Sequence, residues 1–379
     1  MSGTSADGID LALVDFANNT TKLVAKYYQP YDQKTHQAIT SLYTNSINEI
    51  DRAFSLDVQL AHQFSDAILK FIAQERLLAE HIIAIGNHGQ TIRHRPQTVI
   101  TNVQNAFTLQ IGCNQTLATL TNIRVIGQFR RKDMALGGQG APLVPAFHKA
   151  LLVDHQEKPT DTFIVNIGGI ANLTFLPSSS TTNIDRIIKG FDIGPGNALM
   201  DDWYQQHHSD SRYDKNGDWA AQGCINKNLL NHLLSDEFFQ LPAPKSTGRE
   251  IFHLEWLQNK LQNFSVDAVN VQATLSALTA QTIGNEIIKL SHSGNVFLCG
   301  GGVLNTHLYQ SIKQHLAENT AQNAQFSLST TDEVGIDSEA LEAMAFAWFA
   351  YAFDQKIYGN IPAVTGARKA AVLGTSYQP

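Results

Sequence analysis

The residue with the clearest potential for chemistry in this sequence is an aspartate beside a rigid turn. Asp192 follows a short predicted strand and precedes a Gly-Pro-Gly turn in the stretch GFDIGPGNALMDDW. A carboxylate fixed beside such a turn is a candidate general base. Because aspartate is also a routine turn residue, a turn-capping role is the structural alternative. Asp201 and Asp202, on the helix predicted next, are expected to be exposed to solvent.

Three glycine-rich stretches suit the phosphates of ATP. They are MSGTSADGID at the start of the chain, NIGGIANLT near residue 168 and CGGGVLN near residue 300. Glycine lets a ligand approach the backbone, whose N–H groups, together with hydroxyls, bind phosphate. Asp10 would suit Mg²⁺, while a polar terminus and a plain hairpin turn are the structural alternatives. The candidate ATP-binding residues are Gly3, Thr4, Ser5, Ala6, Asp7, Gly8, Ile9, Asp10, Gly168, Gly169, Gly300, Gly301 and Gly302.

A further group of polar residues suits an anionic or sugar ligand. The stretch GQFRRKDMALGGQGAPLVPAFH combines Arg130 and Asp133 with a glycine-rich loop. The planar fork of arginine matches a substrate carboxylate, and surface charge is the alternative. His88 and His94 in NHGQTIRHRP do not have a usual zinc-ligand spacing. Hydrogen bonding to a sugar or to the loop itself is expected of them instead.

The elements that must position these residues follow from apolar runs and their spacing. Strands are predicted at 9–16, 22–28, 82–85, 163–167 and 296–299, and an amphipathic helix is predicted over 51–75. Two strand–glycine turn–strand units and a third glycine-rich strand end predict an α/β fold of the two-domain actin-like type, as in hexokinase and Hsp70. A dinucleotide-binding fold is excluded because no GxGxxG follows a strand, and no GxxxxGK[ST] phosphate loop exists.

Composition narrows the class of protein. The chain has 379 residues, 43% of them hydrophobic and 16% charged, with a formal net charge of −7. That charge disfavours nucleic acid and anionic membranes as partners. Three widely separated cysteines argue against a disulfide framework or zinc site, and neither a membrane-spanning run nor a secretory signal pattern is present. A cytoplasmic protein is expected.

Nine separated stretches make the chain resemble the anhydro-N-acetylmuramic acid kinase family. They are MSGTSADGID, HGQTIRHRP, GGQGAPLVPAFH, NIGGIANLT, GFDIGPGNALMD, APKSTGRE, CGGGVLN, EALEAMAFAW and VTGA. The resemblance implies two actin-like, ribonuclease H-like domains around an ATP cleft, over 1–135 completed by 364–379 and over 136–363. It also implies a kinase that uses ATP and Mg²⁺ to open 1,6-anhydro-N-acetylmuramic acid and phosphorylate O6 in peptidoglycan recycling. A homodimer is expected from the family as well.

The resemblance also implies roles for individual residues. Residues 3–10 would cover the ATP phosphates, and Asp192 would be the base that activates water. Residues near the sugar would be His88, Gln90, Arg130, Asp133, Gln139, Gly140, Pro142 and Glu342.

The chain departs from the family pattern in two places. Gln128 stands where the family usually has an aspartate, so the affinity for the sugar is expected to differ. Family members also carry a short apolar strand before MSGTS, which predicts that the natural start lies upstream of Met1. A kinase of another amino sugar and a non-catalytic ATP- or sugar-binding protein are the alternative functions.

Overall fold

The computed structural model describes residues 1–3, 5–17, 20–96, 105–152, 160–178, 187–209, 211–243, 245–249, 251–320 and 325–379. Thr4, one of the predicted phosphate-binding residues, lies outside the described residues.

Strands and helices alternate along most of the chain. The strands are β1 (Gly8–Asp15), β2 (Lys22–Pro30), β3 (Ile85–Asn87), β4 (Gln90–Arg95), β5 (Phe107–Ile111), β6 (Val125–Gly127), β7 (Thr162–Ile167), β8 (Ile170–Leu176), β9 (Lys189–Pro195), β10 (Gly294–Cys299), β11 (Phe326–Thr330) and β12 (Thr375–Tyr377). The helices are α1 (Gln33–Thr40), α2 (Glu49–Gln74), α3 (Asn114–Thr121), α4 (Phe129–Ala135), α5 (Val144–Leu152), α6 (Ala198–His207), α7 (Lys227–Leu234), α8 (Glu237–Gln240), α9 (Leu254–Leu261), α10 (Ala268–Leu290), α11 (Thr306–Asn319), α12 (Leu341–Asp354) and α13 (Pro362–Thr365). Short 3₁₀ turns cover Ala79–His81, Lys215–Gly217, Ala220–Gln222, Gly301–Leu304 and Asp332–Val334.

The chain divides into two compact units. The first unit comprises Met1–Leu151 with Ala340–Pro379, and the second comprises Leu152–Glu339. The predicted division, 1–135 with 364–379 and then 136–363, therefore assigns residues 136–151 and 340–363 to the other unit. The difference arises because α12 packs on β1, β3 and β6 of the first unit. That association joins stretches far apart in the chain, and no local pattern reveals it.

The first unit is built on short sheets covered by a long helix. β1 and β2 pair antiparallel, β6 lies between β3 and β12, and β4 pairs with β5. One face of α2, including Leu56, Leu60 and Phe64, is buried in the core of this unit, as expected for an amphipathic helix. The predicted helix over 51–75 is confirmed. The predicted strand at 82–85 is wrong, since β3 begins at Ile85 and Ile83 is 83% exposed.

The second unit contains a five-stranded sheet with the order β11-β10-β7-β8-β9. β10 runs parallel to both β7 and β11, whereas β7, β8 and β9 are consecutive antiparallel neighbours. This order and these directions confirm the predicted ribonuclease H-like topology. α10, buried around most of its circumference, packs with this sheet in one apolar core, which explains its lack of a polar face.

Within the described ranges, every helix is too short or too polar to cross a bilayer.

Candidate functional site

The predicted phosphate loop is tied to the first unit on both sides. Ser2 forms a parallel bridge with Gln90, and β1 starts at Gly8. Between them the Ala6 N–H donates to the Gly3 carbonyl at 3.1 Å, and Ala6 adopts a left-handed φ of 53°. The carbonyl of Asp7 accepts from the Tyr31 N–H at 2.9 Å. The loop is therefore a compact turn held at each end by backbone contacts.

The side chains of this loop face in different directions. Ser5 and Asp7 are exposed, whereas Ala6, Gly8 and Ile9 are buried. A Cβ on Gly3 would have only Ser5 Oγ nearby, at 3.7 Å. The fold itself does not require glycine at position 3, so this part of the loop leaves room for a ligand against the backbone.

Gln90 supports this loop from below. It is 0% exposed, and its Oε1 accepts from Ser2 Oγ at 2.6 Å while its Nε2 donates to the Gly3 carbonyl at 3.0 Å. Tyr31 donates to the same Ser2 hydroxyl at 3.0 Å. Its burial and its hydrogen bonds let Gln90 hold the loop, and its contact with the sugar stays a prediction.

Arg130 is positioned by a neutral histidine. Burial, and then the charge of Arg130, hold the pKa of His88 well below its ordinary value. Since His88 Nδ1 faces the Ser2 carbonyl at 3.3 Å, the single ring proton belongs on Nδ1. Nε2 then accepts from Arg130 Nη2 at 3.0 Å, and Arg130 Nη1 donates to the Gly140 carbonyl at 2.9 Å. Arg130 Nε also donates to His88 Nε2 at 3.3 Å. These three bonds use at most three of the five N–H donors of the guanidinium, so donors remain for a ligand.

Asp133 organises the glycine-rich loop that follows α4. It is 0% exposed, and its Oδ2 accepts from the Gly140 N–H at 2.8 Å. Its Oδ1 accepts from Asn360 Nδ2 at 2.6 Å and from Thr365 Oγ1 at 2.7 Å. These bonds give Asp133 a structural role, and they bring the predicted loop residues beside Arg130. Its contact with the sugar stays a prediction.

The remainder of that loop is held by the C-terminal segment. The Gln139 N–H donates to the Thr365 carbonyl at 2.8 Å, and the peptide bond before Pro142 is cis. Sequence reasoning assigned no role to Asn360 or Thr365, although Thr365 stands in the stretch VTGA. Their contact with Asp133 joins residues more than 200 positions apart, which local spacing cannot reveal.

Two carboxylates, Asp10 and Glu342, accompany Arg130 in the first unit. Although Glu342 is exposed to solvent, desolvation by the surrounding protein raises its pKa, the Arg130 charge opposes that shift and the Asp10 charge adds to it. The structure thus brings Glu342 within electrostatic reach of both Arg130 and Asp10. Among the described residues no set of three His, Cys, Asp or Glu side chains could hold a metal by itself. Mg²⁺ is commonly bound by one or two carboxylates together with substrate phosphates, and Asp10 fits that chemistry.

In the second unit, Asp192 is held by a distant loop. Its Oδ2 accepts from Ser246 Oγ at 2.8 Å and from the Thr247 N–H at 3.0 Å, and its own N–H donates to the Lys245 carbonyl at 3.0 Å. The pairing of β8 with β9 shifts register beside Asp192, where β9 carries one extra residue between Asp192 and Gly194. Such bulges re-aim side chains near functional sites. Asp192 is therefore held by residues outside its own turn. Sequence reasoning missed Ser246 and Thr247, although they stand in the quoted stretch APKSTGRE.

The helix after this turn carries a correction. Asp201 and Asp202 were both expected to be exposed to solvent, but both are half-buried. Burial, followed by the charge of Asp202, raises the pKa of Asp201 to about 7. Asp202 itself pairs with Arg249 at 2.9 Å.

The predicted glycines of the second unit fall into two groups. A Cβ on Gly300 would lie 2.2 Å from Asn166 Oδ1, and one on Gly302 would lie 2.3 Å from Ile167 Cγ2, so packing requires both glycines. A Cβ on Gly301 would meet nothing within 4 Å, and those on Gly168 and Gly169 would make ordinary contacts at 3.6 and 3.8 Å. Packing within the chain does not explain glycine at these last three positions, whereas a ligand against the backbone would.

The whole chain, residues 1–379, matches a family model described as anhydro-N-acetylmuramic acid kinase. The chain belongs to the anhydro-N-acetylmuramic acid kinase family. The predicted family resemblance is thereby confirmed. This chain is 54% identical over 394 residues to the anhydro-N-acetylmuramic acid kinase of Colwellia psychrerythraea, and the match covers 100% of this chain and 96% of that protein. It is 45% identical to the kinase of the same name from Shewanella sediminis, covering 100% of this chain and 97% of that protein.

Solved structures were matched as well. One is a hexokinase from Schistosoma mansoni in complex with glucose, with a TM-score of 0.33, 11% identity, and 92% of this chain and 87% of that chain covered. Another is a ROK family protein from Streptococcus pneumoniae in complex with sucrose, with a TM-score of 0.33, 11% identity, and 92% and 97% covered.

Proposed function

We propose that this chain is an ATP-dependent kinase that opens the internal bridge of 1,6-anhydro-N-acetylmuramic acid and phosphorylates the freed O6. The product is N-acetylmuramic acid 6-phosphate, an intermediate of peptidoglycan recycling. Family membership and the names of relatives up to 54% identical support the substrate and the reaction class. The observation that carries the mechanism is the Asp192 carboxylate, oriented by two hydrogen bonds from the 246–247 segment.

In this mechanism Asp192 is the general base. It accepts a proton from a water whose oxygen bonds to the anomeric carbon as the bond from that carbon to O6 breaks. The freed O6 bonds to the γ-phosphorus of ATP, and ADP leaves with the electron pair of the broken P–O bond. Hydrogen bonds donated to the carboxylate favour its ionised, proton-accepting form. An inverting glycosidase needs a second carboxyl group to protonate the leaving oxygen, whereas here phosphorylation captures that oxygen.

We propose that backbone N–H groups of the glycine-rich stretches bind the nucleotide. In the first unit the candidates lie at Gly3, Ser5 and Asp7, and in the second they lie at Gly168, Gly169 and Gly301. The absence of a packing reason for glycine at Gly3 and Gly301 supports the assignment. Asp10 would hold Mg²⁺, which when bound supplies positive charge to the phosphates, and Glu342 would lie near the sugar.

We propose that the sugar binds beside Arg130 in the first unit. The fork of Arg130 retains donors for the lactyl carboxylate, and Gln139, Gly140 and Pro142 lie in the loop that Arg130 contacts through the Gly140 carbonyl. The expected binding partner is this small sugar. The protein itself is expected to be a homodimer in the cytoplasm. The wide separation of the three cysteines along the sequence fits a reducing compartment.

Asp192→Asn tests the mechanism. The amide keeps the shape but cannot accept the proton, so kcat should fall by about 10²–10⁴-fold with both substrates still bound. ADP release and ring opening should fall together, measured by a coupled assay and by chromatography of the sugar. Asp218→Asn, which changes an exposed carboxylate of the same unit, is the matched control and should keep wild-type kcat.

Isotope placement provides a second readout. In ¹⁸O-labelled water the wild-type protein should place the label on the anomeric hydroxyl and none in phosphate. Label in phosphate would mean that water attacks ATP directly. Phosphorylation of intact N-acetylmuramic acid, with no turnover of the anhydro sugar, would instead support a kinase of another amino sugar.

A further inference from the structure

Lys245 makes a buried ion pair that the proposed mechanism leaves unused. It is 7% exposed, and its Nζ lies 3.0 Å from Oε1 of Glu286 on α10 and 5.0 Å from the centroid of the Phe238 ring. The desolvation of two buried charges offsets much of their attraction, so such a pair is a poor source of stability. Its location suggests a different purpose.

The pair lies next to the groups that bind the Asp192 carboxylate. The Lys245 carbonyl accepts from the Asp192 N–H at 3.0 Å. The next two residues supply the donors to Asp192 Oδ2, which are Ser246 Oγ at 2.8 Å and the Thr247 N–H at 3.0 Å. Lys245 is thus fixed by its backbone to β9 and by its side chain to α10, immediately before both donors.

The same helix also holds the other side of Asp192. Thr279 Oγ1 on α10 lies 3.1 Å from the Pro195 carbonyl and 3.0 Å from the Gly196 carbonyl, at the end of β9. Thr279 and Glu286 are separated by about two helical turns and so lie on one face of α10. One rigid helix therefore sets both the strand that carries Asp192 and the segment that binds its carboxylate.

We propose that Lys245 is a positioning residue for Asp192, acting through its ion pair with Glu286. The pair keeps Ser246 and Thr247 at hydrogen-bonding distance from the carboxylate, which fixes its orientation and favours its ionised form. This inference rests on the proposed role of Asp192 as the base.

Lys245→Met tests the inference, because it keeps an unbranched apolar side chain but removes the charge. A misplaced catalytic group can cost up to about 100-fold in rate, so kcat per folded molecule should fall by about 10- to 100-fold. KM for ATP should stay within about twofold. With weaker hydrogen bonds to the carboxylate its pKa rises, so the acidic limb of the kcat–pH profile should move to higher pH. Loss of the lysine charge alone would move the limb to higher pH in Lys245→Met but to lower pH in Glu286→Gln, so a shift to higher pH in both variants indicates positioning. A lysine that only stabilised the fold would change the melting temperature and leave kcat per folded molecule unchanged.

Lys289→Met is the matched control. Lys289 Nζ lies 3.1 Å from the same Glu286 oxygen, but its side chain is 59% exposed and it makes no recorded contact with residues 245–247. Kinetics and pH profile should match those of the wild type. Glu286→Gln, which keeps the shape and removes only the charge, should repeat the Lys245→Met changes in the same direction. It provides the decisive readout if Lys245→Met does not fold.

Unchanged kcat and an unshifted acidic limb in folded Lys245→Met or Glu286→Gln would overturn the inference, provided that Asp192→Asn is inactive. Wild-type activity in Asp192→Asn would instead overturn the proposed base. The two failures are therefore distinguishable.

Discussion

At the scale of residues, a neutral histidine in the first unit, His88, holds a charged arginine, Arg130, in the candidate site. His88 remains neutral because burial lowers its pKa, and it can then accept a hydrogen bond from a guanidinium. A protonated imidazole in its place would repel Arg130. The site thus gains a fixed arginine without consuming a carboxylate to hold it.

Arg130→Lys should weaken sugar binding more than ATP binding. Lysine can replace at most one of the bonds to His88 and Gly140, and it loses the planar fork that matches a carboxylate. We expect KM for the anhydro sugar to rise about tenfold or more, as for the loss of one charge-assisted hydrogen bond, with KM for ATP within about twofold. Steady-state kinetics with each substrate varied would measure both.

Arg131→Lys is the control for that experiment, since Arg131 is the exposed neighbour on the same helix. Its two KM values should equal those of the wild type. An equal rise in both KM values of Arg130→Lys would assign Arg130 to the nucleotide or to the structure.

At the scale of elements, the strand ends decide where a ligand can approach. β10 ends at Cys299, and the 3₁₀ turn over Gly301–Leu304 follows at once. The first N–H groups of such a turn have no acceptor within it. The three glycines here resemble one motif in the sequence, yet packing requires only the outer two.

Gly301→Ala and Gly302→Ala should therefore differ, the first affecting ATP binding and the second affecting stability. The added methyl at 301 meets nothing within 4 Å, so the melting temperature should remain unchanged while KM for ATP rises. The methyl at 302 would lie 2.3 Å from Ile167 Cγ2, so that variant should lose stability, by about 1–3 kcal/mol as for other overpacked sites. Thermal melts and ATP titrations of both variants would decide. A wild-type KM for ATP in Gly301→Ala would remove this turn from the nucleotide site.

Much of this element-level picture could be predicted from the sequence. Alternating and continuous apolar runs located β1, β7 and β10 to within two residues at each end, and helical spacing located α2. The contacts that orient side chains could not be predicted in this way. Gln90 and Asp133 were recognised as polar residues in distinctive motifs, but only tertiary structure reveals that each is enclosed and bonded to backbone. The Ser246 and Thr247 contacts with Asp192 likewise join separate loops.

At the scale of the whole molecule, the buried histidines tie stability to pH. Burial, with a contribution from Arg130, lowers the pKa of His94 to about 4, and burial lowers that of His148 to about 3. Both lie in the first unit. Below the ordinary histidine pKa of 6.5 these histidines bind protons in the unfolded chain but not in the folded chain. Their contribution to the free energy of unfolding is therefore fully present above pH 6.5 and is lost as the pH falls towards 4. The raised pKa of Asp201 in the second unit has the opposite sign, so its contribution is lost as pH rises towards 7.

Acidification should therefore destabilise the first unit before the second. His94→Gln retains hydrogen bonding to Thr108, which His94 Nδ1 contacts at 3.0 Å, but does not titrate. It should remove up to about 2 kcal/mol of the stability lost between pH 7 and pH 5. Urea unfolding at both pH values would measure this, with the exposed His62→Gln on α2 as control. Equal pH dependence in the two variants would contradict the assignment.

The first unit is built from two separate stretches of the chain, and this affects the order in which the two units can fold. β12 completes the sheet of β6 and β3, and Asn360 and Thr365 hold the Asp133 carboxylate. The ribosome synthesises these residues only after all of Leu152–Glu339. The second unit is continuous and can fold during synthesis, as domains generally do once they emerge. Residues 1–151 of the first unit emerge earlier, but their sheet is incomplete until β12 has been synthesised. The first unit therefore completes its folding after the second.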